Sequence, residues 1–180
     1  FRVDLDGTNL LRLTDGDGTH RIKLSPSKRF LIDEYSRIDL PPVHNLRDAN
    51  TGKLICKLET ADISKLLELG FRLPERFVAK GRDGETDIYG MVYRPRIFDP
   101  KFSYPVIEYI YAGPHDSHVP KSFMTRMRMF HLAELGFITV MVDGMGTDNR
   151  GKQFHDVCWQ NLQDSGLPDH IAWLQALHKK

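Results

Sequence analysis

Two successive patterns of hydrophobicity predict a mixed fold: an antiparallel β region of propeller-blade type, then an α/β region with a mostly parallel sheet. Up to about Glu59, short strand-like stretches are separated by Asp-Gly and related turns at close intervals, the pattern of small antiparallel sheets. From about Tyr104, strands alternate with helical periodicity, and strand, helix, strand, helix in sequence implies parallel pairing. Two of the later strands run into glycine-containing loops, Ala112-Gly-Pro-His115 and Gly144-Met-Gly146. Such strand ends lying side by side form the rim of an α/β active site.

The elements follow in order. Phe1 to Leu5 and Leu10 to Thr14 read as short strands flanking Asp6-Gly7, and the cluster Asp15-Gly-Asp-Gly18 follows as a turn. His20 to Leu24 and Arg29 to Tyr35 are strands separated by Ser25-Pro-Ser27, and His44 to Asp48 and Lys53 to Leu58 flank the hairpin signal Asn50-Thr-Gly52. A short helical stretch spans Ile63 to Leu69. Arg76 to Lys80 and Asp87 to Tyr93 then form a hairpin across Gly81-Arg-Asp-Gly84. The strand from Tyr104 to Tyr111 leads to an amphipathic helix from about Ser122, with Phe123, Met127 and Phe130 at helical spacing and Gly136 as its stop. The strand Phe137 to Asp143 leads through a loop to a last helix after Pro168, with Ile171, Leu174 and Leu177 on one face.

Composition sets the outer bounds. A 180-residue chain with 41% hydrophobic residues holds one core of ordinary size or parts of two. The 25 basic and 24 acidic residues nearly cancel to a net charge of +1, so no footprint for nucleic acid or a membrane surface is present. No apolar run has the length of a bilayer span. Cys56 and Cys158 are far apart in sequence and are expected to be buried as small hydrophobes rather than joined. The chain begins at Phe1 within an extended pattern and stops at Lys180 within a helical one. It therefore reads as a piece of something longer, expected to be unstable when excised because a parallel sheet without its central strands leaves faces and edges open.

Several motifs fail at the residue with the chemical task. Gly146 to Lys152 has the spacing of a phosphate-binding loop, but Gln153 stands where a magnesium-binding hydroxyl is required. Gly144-Met-Gly146 opens a dinucleotide fingerprint that Asn149 breaks at the third glycine. A calcium loop begun at Asp15 puts His20 in place of glycine and Pro26 in place of glutamate. The pairs His115/His118 and His155/Cys158 each lack a third ligand nearby. No cofactor and no metal is expected, and the glycine loop is read as close packing. Trp159 and Trp173 are read as core, and Tyr109 as aromatic packing. Tyr111 stands apart because it is read as the last strand residue before a Gly-Pro turn, where a parallel sheet presents its site.

Taken together these segments resemble the prolyl oligopeptidase family of serine peptidases, and most of all its dipeptidyl-peptidase IV branch. Tyr111-Ala-Gly-Pro-His115 resembles the Tyr-(Ala/Gly)-Gly-Pro motif that opens the family's hydrolase site, and Asp143-Gly-Met-Gly146, with Gly151 and Phe154, resembles the Asp-Gly-Arg-Gly stretch after it. The segments Leu13 to Pro26 and Tyr35 to Pro42 resemble a late blade of its propeller. The resemblance implies that residues 1–60 are the C-terminal part of a β-propeller domain, 61–74 a linker, and 75–180 the N-terminal part of an α/β-hydrolase domain. It implies cleavage of short peptides through an acyl-enzyme: a serine in a Gly-x-Ser-x-Gly elbow attacks, histidine and aspartate activate it, and the tyrosine hydroxyl helps hold the oxyanion.

Of that machinery only the tyrosine maps onto this chain, as Tyr111. No Gly-x-Ser-x-Gly occurs, and Met145 replaces the family's usual arginine. The segment alone is therefore expected to be inactive. The expected partner is a peptide substrate, with no nucleic acid and with room for a homo-oligomer in the full-length protein. The family leans to periplasmic, extracellular or membrane-anchored proteins, but these residues do not determine a compartment. Two other readings stay open: a non-catalytic interaction protein on the same fold, and an esterase-type acyl hydrolase.

Overall fold

The computed structural model describes residues 1–126 and 128–180. By their contacts the residues divide into two units, one of 1–69 with 120–124, the other of 70–119 with 125–180.

The first unit is built on a four-stranded antiparallel meander: β1 (Thr19–Leu24), β2 (Phe30–Arg37), β3 (Leu40–Asp48) and β4 (Leu54–Thr60), in that spatial order. Close turns allow no other pairing of neighbouring strands, and this is the form of a propeller blade. The β3–β4 turn is closed by Asp48, whose carboxylate accepts the amides of Asn50 and Thr51 at 2.9 Å each, while Gly52 takes a positive φ of 73°. Asp33, at 0% exposure, accepts hydrogen bonds from His20 Nδ1 at 2.7 Å and Arg47 Nε at 2.9 Å. Arg47 also donates to the carbonyl of Gly52 and to Asp15, whose carboxyl that hydrogen bond holds below its usual range. Buried charges persist only when paired in this way, so Asp15 does more than turn the chain. The segments Phe1 to Leu5 and Leu10 to Thr14 meet only in an isolated bridge, Arg2 to Leu11. The expected pair of strands is absent there because the segment Asp4 to Asn9 closes on itself, Asp6 accepting from Thr8 and Asp4 from Asn9.

Cys56 corrects an expectation. It lies on β4, where Leu54 to Glu59 are all exposed, so it is not a core residue. With its neighbour strand on one side only, β4 has no layer over either face among the described residues. The segment 120–124 returns to this unit: Thr19 Oγ1 donates to the carbonyl of Lys121 at 2.5 Å, and the amide of Phe123 to Ser36 Oγ at 3.1 Å.

A short helix, α1 (Ser64–Glu68), follows the meander. The second unit then begins with the hairpin β5 (Glu75–Lys80) and β6 (Asp87–Tyr93), followed by β7 (Val106–Glu108), α2 (Arg128–Glu134), β8 (Ile138–Asp143), α3 (Lys152–His155) and α4 (Leu167–His178). Its sheet has the order β5-β6-β8-β7, with β7–β8 parallel and the other two pairs antiparallel. Every residue of β8 from Thr139 to Asp143 is buried, as a strand covered on both faces requires. On one face Thr139 Oγ1 donates to the carbonyl of Met129 in α2, whose Phe130 meets Tyr93 edge-on at 5.0 Å. On the other, Val140 and Val142 join Ile88, Val92, Met145, Phe154 and Trp173 of α4 in the main core.

Two helices differ from expectation. Ser122 to Arg126 are not helical and Met127 lies outside the described residues, so α2 starts six residues after Ser122. Phe123 is drawn instead to Ser36 of the first unit. In α4 the buried residues are Asp169, His170 and Trp173, with Leu174 and Leu177 partly buried, while Ile171 is 55% exposed. The helix is rotated toward the sheet by Trp173, which at 0% exposure fills the largest single space in the core. Trp159, by contrast, is 75% exposed on the turn after Cys158, so only one of the two tryptophans is core.

The seat for that indole is Gly90 of β6. A Cβ there would stand 2.5 Å from Trp173 Cζ2 and 2.8 Å from the Met141 carbonyl. Gly90→Ala is expected to destabilise the protein by about 1–3 kcal/mol through overpacking, read as a lowered midpoint of urea unfolding followed by tryptophan fluorescence.

Candidate active site

The site is organised where β7 and β8 end. The parallel ladder pairs Val106 with Ile138, Ile107 with Thr139 and Glu108 with Val140, and the amide of Tyr109 adds one more bond to the Val140 carbonyl at 3.0 Å. The chain then leaves the sheet. Tyr111 is therefore three residues beyond the strand, not its last residue. The strand stops early because the following loop turns across the end of β8, where Asp143 takes up two of its amides.

That carboxylate is the main anchor of the loop. Asp143, at 5% exposure, accepts the N–H of His118 at 2.6 Å and of Val119 at 3.0 Å on the same oxygen, Oδ1. Further bonds join the two loops along their length. His155 Nε2 donates to the carbonyl of Pro114 at 3.0 Å, the amide of Asp148 to the carbonyl of Asp116 at 3.1 Å, and Asn149 Nδ2 to Ser117 Oγ at 3.0 Å. The Tyr-Ala-Gly-Pro turn is thus held by the segment that follows β8.

Within this frame the Tyr111 ring is half-buried and lies against the imidazole of His118, centroid to centroid 5.6 Å. Tyr109 packs on the same imidazole at 4.9 Å and is 39% exposed. The Tyr111 hydroxyl lies beside Gly113, where an added Cβ would be 3.6 Å from it. It makes no hydrogen bond among the described residues. His115 is exposed, and among the described residues no three His, Cys, Asp or Glu side chains gather as metal ligands. Of the histidine and cysteine pairs weighed as ligands, His118 packs against the two tyrosines, His155 bonds the Pro114 carbonyl, and Cys158 is buried with its thiol facing the carbonyls of Gly146 and His155.

The glycines after β8 serve close packing. A Cβ on Gly144 would be 2.8 Å from the backbone of Gly166 and 2.9 Å from His170 Cδ2, and Gly146 has a φ of 100°. Met145 between them points into the core at 6% exposure, and its amide donates to Asp169 Oδ2 at 2.9 Å. Where the related motif carries arginine, this chain puts an apolar side chain inside. Asp169 is the centre of a second buried cluster: it also accepts from the amide of Arg82 at 2.9 Å and from its guanidinium at 2.9 and 3.2 Å. Burial opposes the charge on Arg82, but the carboxylates of Asp169 and Asp164 outweigh it and raise the arginine's pKa. Beside this cluster the buried His170 shares a hydrogen bond with Glu108 at the end of β7.

Sequence reading missed Asp143, His118, Asp169 and Arg82 as a supporting framework. Asp169 in the first turn of a helix looks like an ordinary partner for the helix dipole. The one available signal was the arginine inside the Gly81 to Gly84 turn, a charge placed where a tight hairpin needs none.

Comparison with known proteins agrees with this geometry. Residues 121–180 match the profile of the prolyl oligopeptidase family. Human dipeptidyl peptidase 8 is 29% identical over 174 residues, covering 92% of this chain and 19% of the relative. A probable dipeptidyl-aminopeptidase B of Trichophyton verrucosum is 27% identical over 183 residues, covering 100% of this chain and 20% of the relative. Among solved structures, dipeptidyl peptidase 4 of Porphyromonas gingivalis superposes with a TM-score of 0.74 at 25% identity, over 98% of this chain and 25% of that one. A Bacteroides ovatus protein described as a dipeptidyl aminopeptidase IV gives 0.74 at 32% identity, over 89% and 23%. The chain spans about a fifth of the length of the curated relatives it matches. By its family-profile match, its curated relatives and its solved neighbours, the chain is similar to the prolyl oligopeptidase family, and within it to the dipeptidyl-peptidase IV branch.

Proposed function

We propose that the full-length protein is a serine-type exopeptidase of dipeptidyl-peptidase type, and that Tyr111 is its oxyanion donor. Residues 1–60 belong to the propeller, 61–74 to a linker and 75–180 to the hydrolase domain. The chemistry asks for an O–H at the point where charge develops. When a serine hydroxyl gives its proton to the catalytic histidine and adds to the scissile carbonyl, the C=O π electrons move onto oxygen and a tetrahedral oxyanion forms. A phenol donates to that anion more strongly than to the neutral carbonyl, which lowers the barrier rather than only tightening binding. As the C–N bond breaks, the oxyanion collapses back to a carbonyl and the amine leaves with a proton from the catalytic histidine, giving the acyl-enzyme.

The observation that carries this reading is the state of the Tyr111 side chain. Its ring is held from one side by His118 while its hydroxyl makes no hydrogen bond among the described residues. A phenol fixed by its ring and uncommitted at its oxygen is preorganised to donate. The serine, histidine and aspartate of the triad lie outside these residues. Steady-state hydrolysis of a dipeptidyl amide by the full-length protein, with and without the Tyr111 hydroxyl, tests the reading.

A further inference from the structure

We propose that His118 is a positioning residue for Tyr111, its imidazole acting as a clamp that holds the phenol ring in its donating orientation; this rests on the oxyanion role of Tyr111. Tyr111 is half-buried and lies beyond the end of a strand, so no sheet pairing fixes its side chain. Its hydroxyl has no hydrogen bond among the described residues to choose one rotamer. What remains is ring packing, and the ring that packs is His118.

The arrangement is built to keep that imidazole still. His118 touches both tyrosines, Tyr109 at 4.9 Å and Tyr111 at 5.6 Å, with interplanar angles of 37° and 33°. Contact with two rings from one strand exit fixes its plane better than contact with one. Its own backbone N–H is held by Asp143 at 2.6 Å, and the next amide by the same oxygen. The path from the buried end of β8 to the phenol is therefore two contacts long: carboxylate to amide, then imidazole to ring. Misplacement of a reacting group by about 1 Å costs on the order of 10²-fold in rate, so a partial loss of orientation has a measurable effect.

The test uses the full-length protein, with active serine titrated by an acylating probe so that rates refer to folded enzyme. His118→Ala removes the clamp and leaves the Asp143 bonds, which reach only backbone. It is expected to lower kcat about tenfold with KM within about twofold, because orientation in the transition state is lost and ground-state binding is not. His118→Phe restores a flat ring and is expected to return kcat to within about threefold of the parent. His118→Leu keeps the bulk without the flat face and is expected to behave as alanine, which serves if the alanine variant does not fold. In a Tyr111→Phe background, His118→Ala is expected to add less than about a twofold further loss, since residues acting through one group are not additive.

A purely structural role would reduce the titratable enzyme and leave kcat per site unchanged, which overturns the proposal. An additive double variant, or failure of phenylalanine to rescue, also overturns it. If Tyr111→Phe alone keeps the parental kcat, the oxyanion reading itself falls. If Tyr111→Phe is impaired while His118→Ala is not, the oxyanion reading stands and only the clamp is lost.

Discussion

Replacing Tyr111 by phenylalanine in the full-length protein is expected to lower kcat by about 10²–10³, the usual cost of one oxyanion-hole donor. The substitution removes a single oxygen. The ring remains, and with it the contact to His118 at 5.6 Å, so the loop has no reason to rearrange. Gly113 lies close to the hydroxyl, and losing the oxygen relieves no clash and opens no core cavity because the residue is only half-buried. KM is expected to change little, since the lost interaction belongs to the transition state. Steady-state kinetics on a dipeptidyl amide, with single-turnover acylation to isolate the chemical step, reads the effect. An unaltered acylation rate would remove Tyr111 from the mechanism.

The largest expected effect on stability lies at Asp169. Its carboxylate is 0% exposed and accepts from the amide and guanidinium of Arg82 and from the amide of Met145. Asp169→Ala leaves the guanidinium facing a site with no compensating charge on that side and strands the buried Met145 N–H. Removing one partner of a buried ion pair costs about 3–5 kcal/mol. The variant is expected to unfold at markedly lower urea, with the amide of Met145 among the first to lose protection from hydrogen exchange. Asp169→Asn keeps one acceptor oxygen and is expected to fall between the parent and alanine. An alanine variant as stable as the parent would show that Asp164, which also accepts from Arg82 at 2.7 Å, carries the pair alone.

These two residues differ in how visible they are in a bare sequence. Tyr111 stands in a motif, Tyr-Ala-Gly-Pro, whose turn chemistry marks the end of an extended segment, and the resemblance of that motif to a known family supplies a role. Asp169 has no such mark. Its importance comes from Arg82 and Met145, 87 and 24 residues away, and no local pattern encodes a pairing at that range. The same holds for Asp143, whose position at a strand end is readable while its grip on His118 and Val119 is not.

Local patterns served well where local physics decides. The four-stranded meander follows from short alternating strands joined by tight turns, and the hairpin of β5 and β6 from two strands around Gly81 to Gly84. The largely apolar run of β8, Ile138-Thr-Val-Met-Val142, is the pattern of a strand buried on both sides. They served poorly where one residue has two apolar explanations. Trp159 and Trp173 have the same chemistry, yet Gly90 makes room for the second only. Ile171 fits a helical stripe but lies outside, because the bulk of Trp173 decides which side of α4 turns inward. Cys56 sits among strand residues and is exposed because β4 borders the meander.

The sequence by itself determined the order of the main strands and helices, the antiparallel meander, the parallel pairing of β7 with β8, the turns and the family resemblance, because each depends on periodicity, glycine and proline chemistry, or motifs within a few residues of one another. Tertiary structure alone decided which carboxylates are buried, that the strand before Tyr111 ends three residues early, and which ring lies against the phenol. Those outcomes depend on contacts between segments tens of residues apart, where the free energy of closing a loop is recovered only once partner and packing are both in place.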